Sequence, residues 1–383
     1  MAAMKTKITQ PVLFAGTSDN DADIEYRTGL RIVSPIVLLC TALKDYIVLS
    51  KLEYGRAVEI CESLQGPPKQ VLTPEHLGLK GRRFSQTGEW ALELLRKKGI
   101  RNVRVKAGFP CKAARRLEKS GIRVQIARKA VFPERAIKTP VEIARITESQ
   151  QAAVIAMRAA TAMISKAEIL RSGEVVTGKR PLMTEDIRKV INRTLLEQGC
   201  FCRNTIVACG KQSSNPHETG SGPVRAGQTI VMDIFPRNLS HGYWGDLTRT
   251  VVKGNASNKL KKMYKSVKAA QAAALSAIKP GVKCASVHQA AVSVFDRQGW
   301  RTGLQDGVPG GFIHTTGHGV GLEVHEAPSI GASQARLKKG NVITVEPGLY
   351  YRGLGGIRIE DTVAVTASGW KYLVPCEKRF EIP

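Results

Sequence analysis

The sequence has no long apolar run, and this absence limits where the protein can reside. Residues 1–20 contain no apolar core of signal-peptide length, and the most apolar early stretch, residues 32–50, is interrupted by Lys44 and Asp45. A membrane-spanning helix needs about 20 consecutive apolar residues. We therefore expect a cytoplasmic protein that has no contact with a membrane.

Closely spaced cysteine pairs of the kind that bind zinc are also missing. The 8 cysteines are scattered, none forms a CxxC motif, and Cys200 and Cys202 are too close in sequence to favour a disulfide. We predict that all of them are free thiols. Aromatic residues are few, at 5%, whereas Gly and Pro usage is ordinary, which excludes a fibrous or disordered chain and indicates a mixed α+β protein.

Acidic residues are scarce relative to basic ones. The chain has 58 Lys and Arg against 32 Asp and Glu, a net charge of +26, and residues 101–135 alone hold 11 basic and 2 acidic residues. One interpretation is a surface that binds polyanions, and the other is a solvated basic surface. No helix-turn-helix, zinc-finger or RNP-like pattern accompanies the charge, so we do not expect nucleic acid to be a main partner.

The length of 383 residues exceeds what one hydrophobic core usually supports, so we predict two domains. Thr139, Pro140 and Glu142 form the signature of a capped helix start and place the boundary near residue 136. The first domain, 1–136, shows an α/β pattern, with strands predicted at 32–39, 46–49, 103–105 and 124–126 and a helix at 88–98. In the second domain, 137–383, we predict a helix from 139 to about 170, a loop at 171–182 and a helix at 184–198.

Two aspartates lie beside strand-like segments in the second domain. Asp233 follows the apolar run TIVM, and Asp246 precedes the run LTRTVV, with turn-forming residues between them. This pattern predicts a β-hairpin that places the two carboxylates side by side near its middle. Buried acids of this kind are costly unless a cation lies between them.

Further candidate ligands follow in the same domain. Three histidines, His314, His318 and His325, fall within twelve residues, and glycines flank His318. Glu346 and Glu360 each follow an apolar strand-like run. An oxygen-rich set with one imidazole suits Mn, Co, Fe or Zn and is too poor in sulfur for a structural zinc site. Four carboxylates balance two divalent cations, the composition of a two-metal hydrolase whose ligands are Asp233, Asp246, His318, Glu346 and Glu360.

The motifs HTTGHGVGLEVHEAP, TVEPGLYY and GIRIEDTV together resemble the family of Xaa-Pro aminopeptidases, prolidases, creatinase and methionine aminopeptidases. The resemblance covers nearly the whole chain. It implies an α+β protein with a creatinase-type α/β N-terminal domain at 1–136 and a pita-bread catalytic domain at 137–383. It also implies that the five residues named above are the metal ligands, in that order.

The resemblance assigns roles to further residues. Glu346 is implied as the proton shuttle, His325 as the contact of the scissile carbonyl, and His217 as the contact of the residue after the scissile bond. His314 would line the same pocket. The GLYY sequence and Arg358 are similar to the proline-specific branch, in which the arginine and Tyr350 hold the first aspartate through hydrogen bonds.

The implied function is that of a Xaa-Pro aminopeptidase, a cytoplasmic homodimer that binds two divalent ions, with Mn or Co expected and Zn or Fe as alternatives. Its substrate would be a peptide with proline at the second position. The alternatives are a prolidase acting on Xaa-Pro dipeptides, a non-peptidase C–N hydrolase, and a metal-free peptide-binding member of the same fold. A prolidase needs a cation for the proline carboxylate, and Arg352, Arg358 and the segment 171–182 are the candidates.

The sequence departs from the family pattern in three places. The two aspartates are two residues further apart than is usual, but an even insertion keeps both on one face of the hairpin. Phe235 and Pro236 stand where a glycine is common after the first aspartate. The predicted loop at 171–182 is longer than usual. Each of these departures could alter the shape of the substrate pocket.

Overall fold

The computed structural model describes residues 8–64, 66–80, 86–305 and 307–383. The chain forms two compact units, Met1–Arg135 and Ala136–Pro383. The creatinase-type domain predicted for residues 1–136 and the pita-bread catalytic domain predicted for 137–383 remain predictions at these bounds. All eight cysteines are free thiols, as predicted. Within the described ranges, no helix is long and apolar enough to cross a membrane.

The first unit is built on one six-stranded sheet with the strand order β4-β3-β2-β1-β5-β6. The contacts β1–β2 and β2–β3 are antiparallel, and the remaining contacts are parallel. Its strands are β1 (Val12–Gly16), β2 (Ile36–Cys40), β3 (Asp45–Val48), β4 (Lys69–Leu72), β5 (Asn102–Val105) and β6 (Arg123–Ile126). Its helices are α1 (Ala22–Thr28), α2 (Lys51–Ser63), α3 (Thr87–Lys97) and α4 (Cys111–Glu118).

Both faces of this sheet are covered, because side chains alternate along each strand. Val12 and Phe14 point into a core shared with α1 and α2, whereas Leu13 points into a second core shared with α3 and α4. The strand predicted at 32–39 is wrong at its start, since β2 begins only at Ile36. Pro35 has no N–H to offer a neighbouring strand, which explains the later start.

The second unit begins with two long helices, α5 (Pro140–Lys166) and α6 (Thr184–Glu197). The capping box predicted for the start of α5 is confirmed, with the Thr139 side chain accepting from the backbone of Glu142 and the Glu142 side chain accepting in return. The helix ends at Lys166 rather than near 170, because Ala167 is already extended. Both helices share a core with β11 (Ile206–Cys209), β12 (Thr229–Ile234) and β14 (Leu247–Lys253).

The loop predicted at 171–182 is wrong, because the segment forms part of a small three-stranded sheet. Its strands are β7 (Glu168–Ile169), β8 (Val175–Thr177) and β9 (Arg180–Pro181). Gly173 and Gly178 adopt the left-handed conformation in the two connections, with φ of 80° and 62°. A glycine tolerates this conformation at little cost, and it lets such short strands turn back on themselves.

The second half of this unit repeats the plan of two helices packed on a sheet. Helices α7 (Asn258–Ala277) and α8 (Cys284–Arg297) share a core with the strands β19 (Val342–Val345) and β22 (Asp361–Val365). The sheet is completed by β17 (Gly317–Gly319), β18 (Glu326–Ile330) and β23 (Trp370–Tyr372), in the order β18-β17-β19-β22-β23. Short pairs elsewhere are β10 (Cys200–Phe201) with β13 (Arg237–Asn238), β15 (Gly303–Gln305) with β16 (Val308–Gly310), and β20 (Gly348–Tyr351) with β21 (Gly355–Arg358). Strand β24 (Glu381–Ile382) closes the sheet of the first half beside β14.

The hairpin predicted around the two aspartates is formed by β12 and β14, which pair antiparallel with Asp233 opposite Thr248. The two carboxylates lie near its middle, as predicted from sequence, because the pairing continues beyond them to an antiparallel bridge between Arg237 and Trp244. Strand β12 ends at Ile234, paired with Leu247, and Asp246 comes just before β14. Pro236 has no N–H to donate, but its carbonyl oxygen accepts a 2.9 Å hydrogen bond from the backbone N–H of Gly245.

Candidate metal centre

A cavity of about 1060 Å³ opens in the second unit and gathers most of the predicted site residues. Its wall contains the five predicted ligands, Asp233, Asp246, His318, Glu346 and Glu360, together with His217, His314, His325 and Arg358. Tyr350 is fully buried behind this wall and reaches it through hydrogen bonds to His314 and Arg358. The structure therefore brings together side chains that are far apart in the sequence.

His318 lies at the centre of the acids. Its Nε2 is 3.1 Å from Oε1 of Glu346 and 3.6 Å from Oδ2 of Asp246. Its Nδ1 is 3.2 Å from the carbonyl oxygen of Gly319, a contact that suits an Nδ1–H donor and leaves Nε2 as the ligand atom. One ligand atom each from Asp246, His318 and Glu360 lie within 4.8 Å of one another, a spacing that suits a single ion.

The glycines around His318 are required by the packing of its strand. A Cβ added at Gly317 would lie 2.0 Å from the carbonyl oxygen of Thr344, and one at Gly319 would lie 2.2 Å from the carbonyl oxygen of Ala327. Only glycine permits backbone approach this close. The glycines thus let β17 sit between its neighbours and present His318 to the acids.

Asp233 has one satisfied and one unsatisfied oxygen. Its Oδ2 accepts a 2.6 Å hydrogen bond from Nη2 of Arg358. Its Oδ1 is buried and has no hydrogen-bond partner among the described residues. A buried carboxylate oxygen in this state is costly unless something positive lies against it. The donor set and this oxygen both fit a divalent cation bound in the cavity.

The pKa values of the buried acids also indicate that the cavity binds a cation. Burial, and then repulsion from Glu360, Asp233 and Glu346, raises the pKa of Asp246 well above its usual range. Burial, and then repulsion from Glu346 and Asp233, does the same to the pKa of Glu360. A group of carboxylates in this arrangement must bind protons or cations to relieve the repulsion.

Glu346 differs from the other two acids because His318 faces it. Burial acts to raise its pKa, but the hydrogen bond and charge of His318 outweigh burial and lower the pKa to about 2. The pKa of His318 is raised in turn, since the contact with Glu346 outweighs the desolvation that would lower it. Glu346 is therefore ionised at neutral pH.

Arg358 connects the site to the residues behind it. It is 3% exposed and donates from Nη2 to Asp233, from Nη1 to the Tyr350 hydroxyl at 2.7 Å, and from Nε to Oγ1 of Thr248 at 3.2 Å. Burial acts to lower its pKa, but Tyr350 and Asp233 raise it well above the usual value. Arg358 is thus a permanent cation whose donors fix the position of Asp233.

The two inner histidines are held in defined orientations. His314 has Nδ1 2.7 Å from the carbonyl oxygen of Thr315 and Nε2 3.0 Å from the hydroxyl of Tyr350. The His325 ring packs edge-on against the His318 ring with centroids 4.2 Å apart. Burial lowers the pKa of His314, and burial together with the charge of His318 lowers the pKa of His325. Both are therefore neutral rings that can each donate one N–H.

Three residues that contact the predicted ligands were missed by the reasoning from sequence. The Thr248 hydroxyl donates to Oε2 of Glu360 at 2.7 Å, and the Thr344 hydroxyl donates to Oε1 of Glu346 at 3.1 Å. Each threonine lies two residues from a predicted ligand, so period-two alternation along a strand could have identified it. Gln150 exchanges two hydrogen bonds with the backbone of Asp246, at 2.9 and 2.8 Å, and no sequence signal marks it.

Comparison with known proteins agrees with this geometry. The profile of metallopeptidase family M24 matches residues 144–367. The chain is 36% identical to the Xaa-Pro dipeptidase of Pyrococcus furiosus over 247 residues, which is 64% of this chain and 64% of that relative. It is 30% identical to the Xaa-Pro dipeptidase of Pyrococcus horikoshii over 389 residues, which is 99% of each chain.

The fold is similar to a solved one over nearly its whole length. The crystal structure of the prolidase from Pyrococcus horikoshii OT3 superposes with a TM-score of 0.77 at 26% identity, covering 96% of this chain and 94% of that one. The predicted fold class, an α+β protein with a pita-bread catalytic part, is thereby confirmed.

Proposed function

The chain belongs to metallopeptidase family M24, and we propose that it is a metal-dependent exopeptidase that hydrolyses the bond between an N-terminal residue and proline. The observation that carries the proposal is the single cavity lined by Asp233, Asp246, His318, Glu346 and Glu360. The names of the relatives, Xaa-Pro dipeptidase and prolidase, support proline as the second residue of the substrate.

Two divalent ions are proposed for this cavity. Asp246, His318 and Glu360 suit one ion, whereas the unsatisfied Oδ1 of Asp233 and the ionised Glu346 support a second. We expect Mn(II) or Co(II), with Zn(II) or Fe(II) as alternatives, since the ligands are oxygens and one imidazole. When bound, such ions supply an activated water at neutral pH and polarise the carbonyl group.

The side chains around the ions transfer the proton, contact the carbonyl group and bind the two ends of the substrate. The ionised carboxylate of Glu346 takes a proton from the attacking water and passes it to the proline nitrogen as the C–N bond breaks. His325, neutral because burial lowers its pKa, donates an N–H to the carbonyl oxygen as negative charge develops there. His217, exposed at the cavity wall, contacts the proline, and the buried acids hold the substrate's amino group.

Arg358, Tyr350 and His314 act behind these groups. Arg358 and the Tyr350 hydroxyl share one hydrogen bond, and the hydroxyl also contacts Nε2 of His314. These linked hydrogen bonds keep Asp233 in one orientation. Its Oδ2 is occupied by Arg358, and its Oδ1 is directed to a cation. Ordered contacts of this kind hold metal ligands in place before an ion arrives.

Proline specificity has a physical reason in such a site. A proline nitrogen carries no N–H, so a peptidase that aligns its substrate through that N–H handles Xaa-Pro bonds poorly. A site that binds the free amine through acids and the carbonyl through His325 does not need it. The substrate is therefore a peptide with proline at its second position, cut as an aminopeptidase would cut it.

A second candidate, a prolidase restricted to dipeptides, is favoured by the names of the two Pyrococcus relatives, both Xaa-Pro dipeptidases. It shares the metal set and the proline contact and differs only in how the carboxyl side of proline is bound. The charges on the cavity wall separate the two candidates, because only a dipeptide places a carboxylate on the proline itself.

The test is peptide hydrolysis by the full chain, first stripped of metal and then reloaded with Mn(II) or Co(II). We expect no hydrolysis without metal, and a higher kcat/KM on Ala-Pro-Ala than on Ala-Ala-Ala after reloading. Equal or faster cleavage of Ala-Ala-Ala would contradict the proline specificity. Full activity of the metal-free protein would contradict the mechanism, and binding of peptides without any cleavage would favour a peptide-binding protein. Cleavage of non-peptide amides alone would favour a different C–N hydrolase.

We also propose that the protein is a homodimer, which the family resemblance implies, and that it resides in the cytoplasm. Light scattering of the purified full chain at micromolar concentration tests the assembly. Twice the chain mass of 41.6 kDa is expected, and a monomer mass would contradict the proposal.

A further inference from the structure

The cavity wall is rich in acids and poor in available cations. Among the described residues that line it, Arg358 is the one lysine or arginine. Its donors are already directed to Asp233, Tyr350, Thr248 and the carbonyl oxygen of Pro216. Four of its five N–H donors are thus engaged within the protein, and the side chain is only 3% exposed, so little of the guanidinium is available to a substrate carboxylate.

The other cations considered from sequence do not reach the cavity. Arg352 and the segment 171–182 are absent from the described residues that line its wall. Of the three candidates for binding a proline carboxylate, Arg358 alone is among the described residues that line the cavity, and most of its donors are engaged within the protein. A free carboxylate entering there would be desolvated without a cation to pair with it, which is costly.

A fifth acid lies on the side of the cavity proposed for proline and makes a free carboxylate there still less favourable. Glu218 lines the cavity directly after His217, and it is exposed to solvent. Its Oε1 accepts a 3.3 Å hydrogen bond from the backbone N–H of Gly220, which leaves the carboxylate otherwise solvated. A carboxylate on a bound proline would approach a charge of the same sign. Like-charge juxtaposition is a common way to exclude one substrate while accepting another.

We propose that Glu218 is a specificity-determining residue that rejects substrates whose proline carries a free carboxylate. The protein is then an aminopeptidase for peptides of three or more residues, or for carboxyl-blocked ones, rather than a dipeptidase. This inference rests on the proposed Xaa-Pro cleavage, because it concerns the group that follows the cut bond. It predicts a different length preference from the one in the names of the Pyrococcus relatives.

The test compares Ala-Pro with Ala-Pro-NH₂, two substrates that share one shape and differ in one charge. With the Mn(II)-loaded full chain, kcat/KM is expected to be about fivefold higher on the amide, the size of one like-charge contact at an exposed position. Glu218→Gln is expected to narrow this ratio toward one. Glu197→Gln, at a similarly exposed acid of α6 whose side chain is 60% exposed, is the matched control and should leave the ratio as in the parent chain.

Salt gives a second, independent readout. Screening weakens interactions between exposed charges, so raising ionic strength should narrow the amide-to-carboxylate ratio in the parent chain and change it less in Glu218→Gln. A preference for Ala-Pro over the amide, or a ratio that Glu218→Gln does not change, would overturn this inference while Xaa-Pro cleavage stands. Failure to cleave Ala-Pro, its amide and Ala-Pro-Ala alike would contradict the proposed function and this inference with it.

Discussion

The hydroxyl of Thr248 donates a 2.7 Å hydrogen bond to Oε2 of Glu360. The same hydroxyl accepts from Nε of Arg358 at 3.2 Å, so its single proton is directed at the glutamate. This arrangement occupies one oxygen of Glu360 and leaves the other available to an ion. Through Thr248, Arg358 therefore acts on Glu360 as well as on Asp233.

Replacing Thr248 tests whether this hydroxyl prepares the site for metal. Thr248→Val keeps the shape of the side chain and removes the donor, so we expect Mn(II) affinity to fall by about tenfold. Thr248→Ser keeps the hydroxyl and is expected to retain affinity near that of the parent chain. Calorimetric titration of the metal-free full chain with Mn(II) measures both. Equal affinity in the valine variant would contradict a role in orienting Glu360.

The sequence carried a clear signal for the acids and His318, because each stands beside an apolar, strand-like run and glycines flank the histidine. A charged residue in such a run needs a partner, and the joint pattern narrowed the choice to a metal site. The structure brings these side chains to one cavity. The position of the two aspartates near the middle of their hairpin is also confirmed, since Arg237 and Trp244 continue the pairing beyond them.

Other parts of the site could not be predicted. Gln150 on α5 bonds to the backbone of Asp246, and Arg249 pairs with the buried Asp361 at 2.6 Å, but each contact joins segments about a hundred residues apart. Such pairs depend on how helices and sheets pack, which the spacing of residues along one chain does not reveal. The segment 171–182 was misjudged for another reason, since strands of two or three residues are too short to show an alternating pattern.

Loss of a ligand should abolish activity without loss of the fold. We expect His318→Ala and Glu360→Ala to have no measurable hydrolysis of Ala-Pro-Ala at any Mn(II) concentration, because each removes an atom of the group that suits one ion. Circular dichroism should show the helices intact. Glu197→Ala, at an exposed acid of the same unit, is the control and should keep full activity. Activity that persists in either ligand variant would refute the ligand set.

The stability of the metal-free protein should depend on pH through Asp246 and Glu360. Both have pKa values raised by burial and by repulsion from neighbouring acids. A carboxyl group whose pKa is raised on folding stabilises the fold below its unfolded pKa, and this stability is lost as pH rises through the folded value. Mn(II) replaces the protons, so the rise in Tm that it causes should be larger at about pH 8 than at about pH 5.5.

Asp246→Asn tests how much the charge of this one buried acid destabilises the metal-free protein. The variant removes a buried charge, so its metal-free form should have a higher Tm than the parent chain at about pH 8, and Mn(II) should raise that Tm less. Scanning calorimetry with and without Mn(II) measures each value. An Mn(II) effect on the parent chain that is equal at both pH values would contradict the assignment of the raised pKa values to folded, metal-free acids.

A buried ion pair lies next to His325 and has its own consequence for stability. Nζ of Lys138 is 2.5 Å from Oε1 of Glu326, and the side chains are 1% and 7% exposed. Lys138→Met should lower the free energy of unfolding by about 3–5 kcal/mol, because it removes the cation that pairs with a buried carboxylate. Lys138→Met combined with Glu326→Met should cost less than the single change. Urea denaturation of the metal-free chain measures these free energies. Arg193→Met, at a side chain that is 76% exposed, is the control and should leave the free energy of unfolding almost unchanged.

The last prediction concerns the shape of the cation at Arg358 rather than its charge. Three different nitrogens of its guanidinium serve Asp233, Tyr350 and Thr248, and a planar fork is needed to reach all three at once. Arg358→Lys keeps the charge, but its donors all lie on one nitrogen, so it cannot reproduce contacts that three separate nitrogens make. We expect its Mn(II) affinity and its kcat/KM on Ala-Pro-Ala each to fall by about tenfold or more. Tyr350→Phe removes a single hydroxyl and should cause a smaller loss of Mn(II) affinity and of kcat/KM. A lysine variant as active as the parent chain would show that charge alone holds Asp233.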